Sequence, residues 1–530
     1  MTRVRVAGEA ALLLEAADLD EAVRLLPRLR EAAIAGVTEL VPGARTILVR
    51  FDPRVVAERD LAARLTAVEP VAHPPAGGAL VTIPVRYDGQ DLDDVAALLG
   101  VTTDAVVARH VGATWRVAFT GFAPGFAYLV ADGAAPGLEV PRRASPRPRI
   151  PAGSVGLAGA FSGVYPREGP GGWQLLGRTD ARMWDLERDE PALLAPGATV
   201  RFARAPRERL AVSGPSSRAT GPSARHAAST HALEVVRPGV RLLAQDLGRP
   251  GLAALGVGRS GVADRAALRT ANRAVGNLAH VAALEAAGGG VVLRARGASV
   301  VAIAGGRCDA TVVGRAGTGV VAHGEPAALD DGDELRLGTI RTGARVVVAV
   351  RGGIALEPVL GSLSTDTLAG LGPAPLAAGD VVPLHGPAAA PHAVDPVPEQ
   401  RGELPAAGDE VELRIVLGPR ADWLAPAAIA MLTTHPWEVT TTSDRVGLRL
   451  AGPALERGRV DELPSEGVVA GAIQVPPDGR PVLFLVDHPL TGGYPVAAVV
   501  VDADLDLAGQ VPPGARIRLR VHDPSIGAPA

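Results

Sequence analysis

At 530 residues the chain has room for about three or four domains, because a single core stops growing near roughly 250 to 300 residues. Hydrophobic residues make up 47% of it and aromatics 3%, so the cores are built from Val, Leu, Ala and Ile, and a net charge of -4 excludes a general attraction to nucleic acid or an anionic membrane. One cysteine, Cys308, and no lysine among 53 basic residues exclude an intrachain disulfide, a thiolate metal cage, a Walker A loop, a biotin-carrying lysine and the Ser-Ser-Lys triad of amidase-signature hydrolases.

The chain begins MTRVRVAGEAALLLEAADLDEA, where Arg3, Arg5 and Glu9 interrupt any apolar run, and no stretch reaches the ~20 apolar residues of a membrane span, so a soluble cytoplasmic protein is expected. Short runs (RVRVAG, ALLLEA), a helical run near 20–34, the strand TILVRFD and a second helix near 56–67 make a small α+β module over residues 1–80. From VTIPVRYD onward the pattern is mostly strands separated by Gly and Pro turns. Two stretches without apolar periodicity, 206–231 and 391–408, read as linkers. They separate β-rich segments at 81–205, 232–390 and 409–525, and the fold class is mainly β with α+β.

Phrases recur between these segments. APGATVRFA (195–203), LDDGDELRLG (329–338) and PPGARIRLRV (512–521) each read as a glycine turn into a strand with an outward arginine. IPAGSVGLAGA with GGW (150–160, 171–173) parallels LPSEGVVAGA with GGYP (463–472, 492–495). Two phrases in the same order point to repeated barrel-like domains.

LAALGVGRSGVADRAALRTANRAVGN (252–277) contains G-x-G-x-x-G at Gly256, Gly258 and Gly261. A dinucleotide fingerprint needs a buried strand before the glycines and an acid about 20 residues on, at the next strand end. Here Gly248, Pro250 and Gly251 punctuate the preceding segment, and Glu285 sits in a helix-like AALEAAGG context. The expected structure is a turn into a helix capped by Ser260 or Asp264 and ended by Gly276.

PGVRLLAQDLGRPGLAALGVGRSGVADRAALRTANRAVGN resembles the opening of the C-type 5-oxoprolinase family (PxpC, KipA), and PSEGVVAGAIQVPPDGRPVLFLVDHPLTGGYPV its closing signature. GVTELVPGARTILVRFDP, GFAPGFAYL and PRRASPRPRIPAGSVGLAGAFSGVYPREGPGGWQLLGRT resemble the B-type family (PxpB, KipI). The whole is similar to a fusion of the two in the carboxyltransferase-domain family, whose members also carry the label allophanate hydrolase. The resemblance implies cyclophilin-like β-barrels, one after the α+β module in the B half and two in the C half. It implies a component that couples ATP with Mg2+ to opening of the 5-oxoproline lactam, giving glutamate, together with a separate A-type 5-oxoprolinase component (PxpA), a homologue of the LamB/YcsF type. Two other readings stand beside it: a urea-carboxylase-like carboxyltransferase, which with no covalently attached biotin here needs separate biotin partners, and a kinase-regulating binding protein. A homo-oligomer is compatible with each, and neither nucleic acid nor membrane is expected as a partner.

Hydrolysing a lactam through its phosphorylated oxygen needs groups that hold triphosphate and carboxylate, a Mg2+ ligand and a means of activating the amide. Without lysine, the anions fall to arginines, backbone N–H groups or helix N-termini. Arg142, Arg143, Arg147 and Arg149 in PRRASPRPR are one candidate cluster, or else a solvated basic loop. Arg178, beside Gly171, Gly172 and Trp173, is a candidate for the substrate carboxylate, or else bonds a turn. Pro124 and Gly125, between Phe122, Phe126 and Tyr128, offer a substrate wall, although the rings suit a core. Tyr165 would donate to a carbonyl or close a turn.

In the C half, Ser260 and Asp264 either cap a helix or act in catalysis. Glu466, Gln474 and Asp487-His488, with Gly492, Gly493 and Tyr494 nearby, place carboxylates, an amide and an imidazole on hairpin flanks. Asp or Glu would bind Mg2+ and His488 would act as general base, or else be structural. No H-x-H or H-E-x-x-H spacing occurs among the 11 histidines, so no metal set is assigned.

Overall fold

The structure, a computed structural model, describes residues 3–72, 78–133, 137–143, 145, 147–205, 230–395, 402–459 and 461–522. Residues 206–229 of the first expected linker and 396–401 of the second lie outside the described residues.

Strands Arg3–Val6, Ala11–Glu15, Thr46–Phe51 and Val37–Pro42 form an antiparallel sheet in that spatial order. Helix α1 (Leu19–Ala32) begins where Asp18 accepts the N–H of Glu21 at 2.8 Å. Its Ala22, Leu25, Leu26 and Leu29 share one helical face and pack with Leu12, Leu14, Ile47 and Val49, beside Leu61 and Leu65 of α2 (Glu58–Thr66). Leu13 and Leu48 point the other way, by the period-two rule, and pack with Val468, Phe484 and Val496 near the far end of the chain. Burial on both faces explains why ALLLE shows no polar alternation.

The remainder is mainly β, as expected. Strands Gln174–Arg178, Ser154–Ala158, Phe161–Val164, Ala127–Ala131, Thr114–Thr120, Thr199–Arg204 and Leu80–Val85 follow one another in a curled sheet. Helices α3 (Leu92–Leu99) and α4 (Thr103–Gly112) cover it. Residues 232–383 carry two sheets, of six and five strands, around a Val, Leu, Ala and Ile core. Residues 410–521 close a seven-stranded barrel. No single helix among the described residues is long and apolar enough to cross a membrane.

The recurring phrases have a structural basis. Thr199–Arg204 pairs in parallel with Leu80–Val85, and Arg516–Val521 pairs in parallel with Glu410–Leu417. Each is the last strand of its unit lying beside the first. The two-stranded ribbon of Arg147–Ile150 with Gly169–Gly171 matches that of Glu466–Gly467 with Thr491–Gly492. Buried Trp115 donates its indole N–H to the His110 carbonyl at 3.1 Å, and buried Trp437 does the same to the Leu432 carbonyl, also five residues back, at 3.0 Å. The third phrase differs: Glu334–Leu337 is an interior strand between Val291–Arg296 and Ala310–Gly314, so its likeness is only that of a glycine turn.

The G-x-G-x-x-G segment is no dinucleotide turn. A 3-10 turn, Ala253–Leu255, ends at Gly256, and helix α5 (Arg265–Ala274) begins at Asp264, which accepts the Ala267 N–H at 2.8 Å. Asp264 is therefore the cap, which leaves the Ser260 hydroxyl for another bond. Glu285 lies on the strand Ala283–Ala287, contrary to the helical reading of AALEAAGG; its neighbours pair with Arg345–Val348, and cross-strand pairing overrides alanine's helix propensity.

Candidate functional site

A cavity of about 610 Å³ lies where three parts of the chain meet. Phe122, Pro124 and Arg167 come from the B-like part, Arg241, Gly256 and residues 365–375 from the central sheets, and Asp444, Phe484 and His488 from the last barrel. The loop 121–125 is clasped from both sides. Phe122 holds a left-handed φ of +66° and donates its N–H to Thr491 Oγ1 at 3.0 Å, while Gly125 donates to the Leu255 carbonyl at 3.1 Å. At Gly256, φ +75°, a Cβ would lie 2.6 Å from the Ala123 carbonyl oxygen, so glycine there permits the close approach. Arg167 crosses to the opposite wall and donates to the Leu368 carbonyl.

Behind the cavity, Asp487 is buried and receives five hydrogen bonds, one of them from Arg445 Nη2 to Oδ1 at 3.2 Å. Ser260 Oγ reaches Oδ1 at 2.7 Å; the Thr367 N–H and Oγ1 reach Oδ2 at 2.9 and 2.7 Å; Arg445 Nε reaches Oδ2 at 3.0 Å. Arg445 also donates to Glu285, whose second oxygen accepts the Ala263 N–H at 2.8 Å. Burial alone would raise Asp487, but the Arg445 charge and these hydrogen bonds outweigh it and hold the carboxyl below the usual aspartate range.

Two of the titratable groups lining the cavity, Asp366 and His488, are placed to move a proton. Burial and the Asp487 charge push Asp366 up to about 7, against the Ala369 N–H, Arg249 and Arg445. Burial pushes His488 down to about 4, so its ring is neutral near pH 7. Its Nδ1 lies 2.8 Å from the Pro489 carbonyl oxygen; that oxygen can only accept, so Nδ1 carries the proton and Nε2 is left with a lone pair. The site thus pairs a carboxyl that holds its proton until pH approaches about 7 with an imidazole that is neutral there.

Residues 255–521 match the carboxyltransferase domain, subdomains A and B, and residues 2–194 match subdomains C and D. Residues in the N-terminal part are 40% identical over 218 positions to the B-type 5-oxoprolinase component of Escherichia coli O157:H7, covering 38% of this chain and 94% of that protein. The C-terminal part is 33% identical over 290 positions to the C-type 5-oxoprolinase component of Escherichia coli K12, covering 53% and 88%. The chain belongs to the carboxyltransferase-domain family of B-type and C-type 5-oxoprolinase components. The crystal structure of TTHA0988 matches this B–C fusion with a TM-score of 0.83 at 35% identity, covering 98% of this chain and 100% of that one. The K. lactis urea amidolyase structure is 30% identical with a TM-score of 0.51, covering 55% of this chain but 19% of its own.

Within the B–C fusion, the residues singled out from sequence fall into separate groups. His488 lines the cavity, and the bonded pair Ser260 and Asp487 lies directly behind it. Asp264 caps α5 and accepts from Gln510 at 2.7 Å, one layer behind. Arg142, Glu466 and Gly493 belong to the seam between the B and C parts, and Gly492, Gln474 and Tyr494 lie on the C side of it. There Arg142 pairs with Glu462 at 2.9 Å and donates to Ser465 at 3.2 Å beside Gly493, and Gln474 donates to the Tyr494 carbonyl at 3.0 Å. Glu466 takes both its bonds from Arg420, which also holds Glu15; burial raises its pKa in spite of Arg420.

The proline-spaced arginines are committed to carboxylates. Arg143 and Arg147 converge on buried Asp91 at 2.7 and 2.6 Å, Arg149 pairs with Glu168 at 3.1 Å, and Arg178 with Asp88 at 2.8 Å. Tyr165 and Trp173 lie in an aromatic cluster with Phe126 and Tyr128, Tyr165 against Gly171 and with its hydroxyl raised by burial. Gly172 gives its carbonyl to the Arg143 N–H at 2.8 Å. Sequence reading missed Asp366, Thr367, Arg445, Glu285, Arg167, Arg241 and Asp91.

Proposed function

We propose that the chain is the cytoplasmic B–C component of an ATP-dependent enzyme that opens the lactam of 5-oxoproline to glutamate, working with a separate A-type (PxpA) homologue. The observation that carries this reading is the shared cavity. Two parts, each alike over most of the length of a different 5-oxoprolinase component, contribute walls to one site.

The chemistry suits it. A lactam is a weak electrophile because its nitrogen lone pair is delocalised into the carbonyl. Transfer of a phosphoryl group from ATP to the carbonyl oxygen removes that protection. Arg167 and Arg241 line the cavity and form no ion pair with a carboxylate among the described residues, although Arg167 feels the charge of Asp366, which fits an anionic ligand such as a substrate carboxylate or a phosphate. Mg2+ enters with the nucleotide as part of that substrate, held chiefly by the phosphates. His488 Nε2 is the base for an attacking water, and Phe122 and Pro124 limit bulk water at the reacting carbon.

Glutamate release from 5-oxoproline with Mg-ATP, by the chain alone and with a PxpA homologue, tests the reading. Release only in the mixture supports it; no release from a folded chain with its partner bound rejects it. The urea amidolyase likeness supplies the rival, which predicts instead carboxyl transfer from separately supplied carboxybiotin to urea.

A further inference from the structure

We propose that Asp366 is the proton donor to the ring nitrogen as the lactam opens, and that it decides whether activation of the amide ends in glutamate or in ATP hydrolysis alone. This rests on the function proposed above.

The geometry prepares one oxygen of Asp366. Oδ1 accepts the N–H groups of Leu368 and Ala369 at 3.0 and 2.8 Å, and the same turn is closed by Asp366 N–H to the Leu371 carbonyl at 2.8 Å and Gly370 N–H to the Asp366 carbonyl at 2.9 Å. The carboxyl is therefore fixed by its own loop. Oδ2 has no hydrogen-bond partner among the described residues, and the residue lines the cavity while only 4% exposed. The charged groups around it are Asp487, Arg249, Arg445 and Arg167, with His488 lining the same cavity. Of the two carboxyls, Asp487 holds Ser260, Thr367 and Arg445, all of which donate to it, so the negative charge belongs on Asp487 and the proton on Asp366.

The reaction needs that proton. After phosphoryl transfer and addition of water, with His488 Nε2 taking a water proton, the ring carbon bears a hydroxyl, a phosphate ester and the ring nitrogen. If the C–O bond to phosphate breaks, the lactam re-forms and ATP has only been hydrolysed. If the C–N bond breaks, its electron pair goes to nitrogen, and γ-glutamyl phosphate forms as the hydroxyl loses its proton to solvent. An unprotonated ring amine would have to depart as a nitrogen anion, which leaves far less readily than phosphate. Oδ2–H supplies its proton, Asp366 becomes a carboxylate, and a second water cleaves the acyl phosphate to glutamate and phosphate, after which His488 returns its proton to solvent and Asp366 is reprotonated from solvent. The sum is 5-oxoproline, ATP and two waters to glutamate, ADP and phosphate.

The test is ADP and glutamate measured in the same reaction, with the full chain, a PxpA homologue, 5-oxoproline and Mg-ATP. Wild type should form one glutamate per ADP. Asp366→Asn keeps a donor of similar shape that cannot release its proton; glutamate should fall about 100-fold or more, the scale of a lost general acid, while ADP falls far less, so ADP per glutamate rises at least about tenfold. A one-to-one ratio in the variant overturns the assignment, because a merely structural role would lower both products together. If the variant does not fold, the wild type decides: its ADP per glutamate should climb as pH is raised through the range in which Asp366 loses its proton, and a ratio flat with pH overturns the assignment. A wild-type mixture that forms neither product overturns the functional reading as well, whereas one-to-one coupling in both proteins overturns only the role of Asp366.

Discussion

Ser260 adopts a left-handed φ of +54° and places its Oγ 2.7 Å from Asp487 Oδ1, across 227 residues of sequence. A serine in that conformation is strained, and the bond to a buried carboxylate compensates. Ser260→Ala keeps the strain and removes the donor, so stability should fall by about 1–3 kcal/mol. Urea denaturation of the two proteins measures it; an unchanged midpoint would mean that Ser260 contributes nothing to Asp487.

Arg445 stands between Asp487 and Glu285 in this buried layer and bonds to both. Truncating it leaves two carboxylates without that counter-charge, and Arg445→Met should cost about 3–5 kcal/mol. Denaturant titration checks the value. A loss below ~1 kcal/mol, the range of an exposed pair, would contradict the burial assigned to this network.

The cavity and the arginine loop differ in how much of them is legible in the sequence. Ser260, Asp487 and His488 stand beside turn glycines in long recognisable phrases, and their residue types advertise chemistry. Asp366 sits in STDTLAGLGPAP, where an acid between glycine turns looks like loop punctuation; its proton depends on Asp487, more than a hundred residues away, a relation that no local spacing encodes. The arginines of PRRASPRPR look free for the converse reason, since Asp91 lies 56 residues before Arg147. The last barrel and the curled sheet of the B-like part are legible because parallel pairing of last strand with first repeats the same turn and strand in both, and the glycine motif is legible as a turn because its surroundings lack a continuous strand.

The halves should stay together without their linker. Thr120 Oγ1 donates to the Ala254 carbonyl at 2.8 Å, and Gly256 packs closely on the Ala123 carbonyl. Protease cleavage within 206–229 should leave both fragments in one peak on a sizing column. Gly256→Ala places a Cβ against Ala123 and holds alanine at a positive φ, a cost of about 1–3 kcal/mol, so the cleaved variant should separate at higher concentration than cleaved wild type. Equal dissociation of both would show that this contact does not hold the seam.

Asp366 also fixes a pH dependence of stability. Its pKa is raised from 3.8 to about 7 in the fold, so folding binds a proton between those values and the stability it contributes is lost as pH rises through them. From pH 5 to pH 8, Asp366→Asn should gain on wild type by on the order of 3 kcal/mol. His488 acts oppositely: lowered from 6.5 to about 4, it contributes stability above 6.5 that is lost as pH falls toward 4, equally in both proteins. Chemical denaturation of the pair at the two pH values isolates Asp366. A constant difference would show that its carboxyl is ionised throughout.

A crystal of the full chain with 5-oxoproline tests the central claim most directly. The account predicts density for the lactam in the cavity shared by Phe122, Asp366 and His488, with the carboxylate toward Arg167 or Arg241 and the ring amide toward Asp366. Density confined to another surface, such as the Arg142 and Gly493 seam, or an empty cavity at saturating 5-oxoproline, would contradict it.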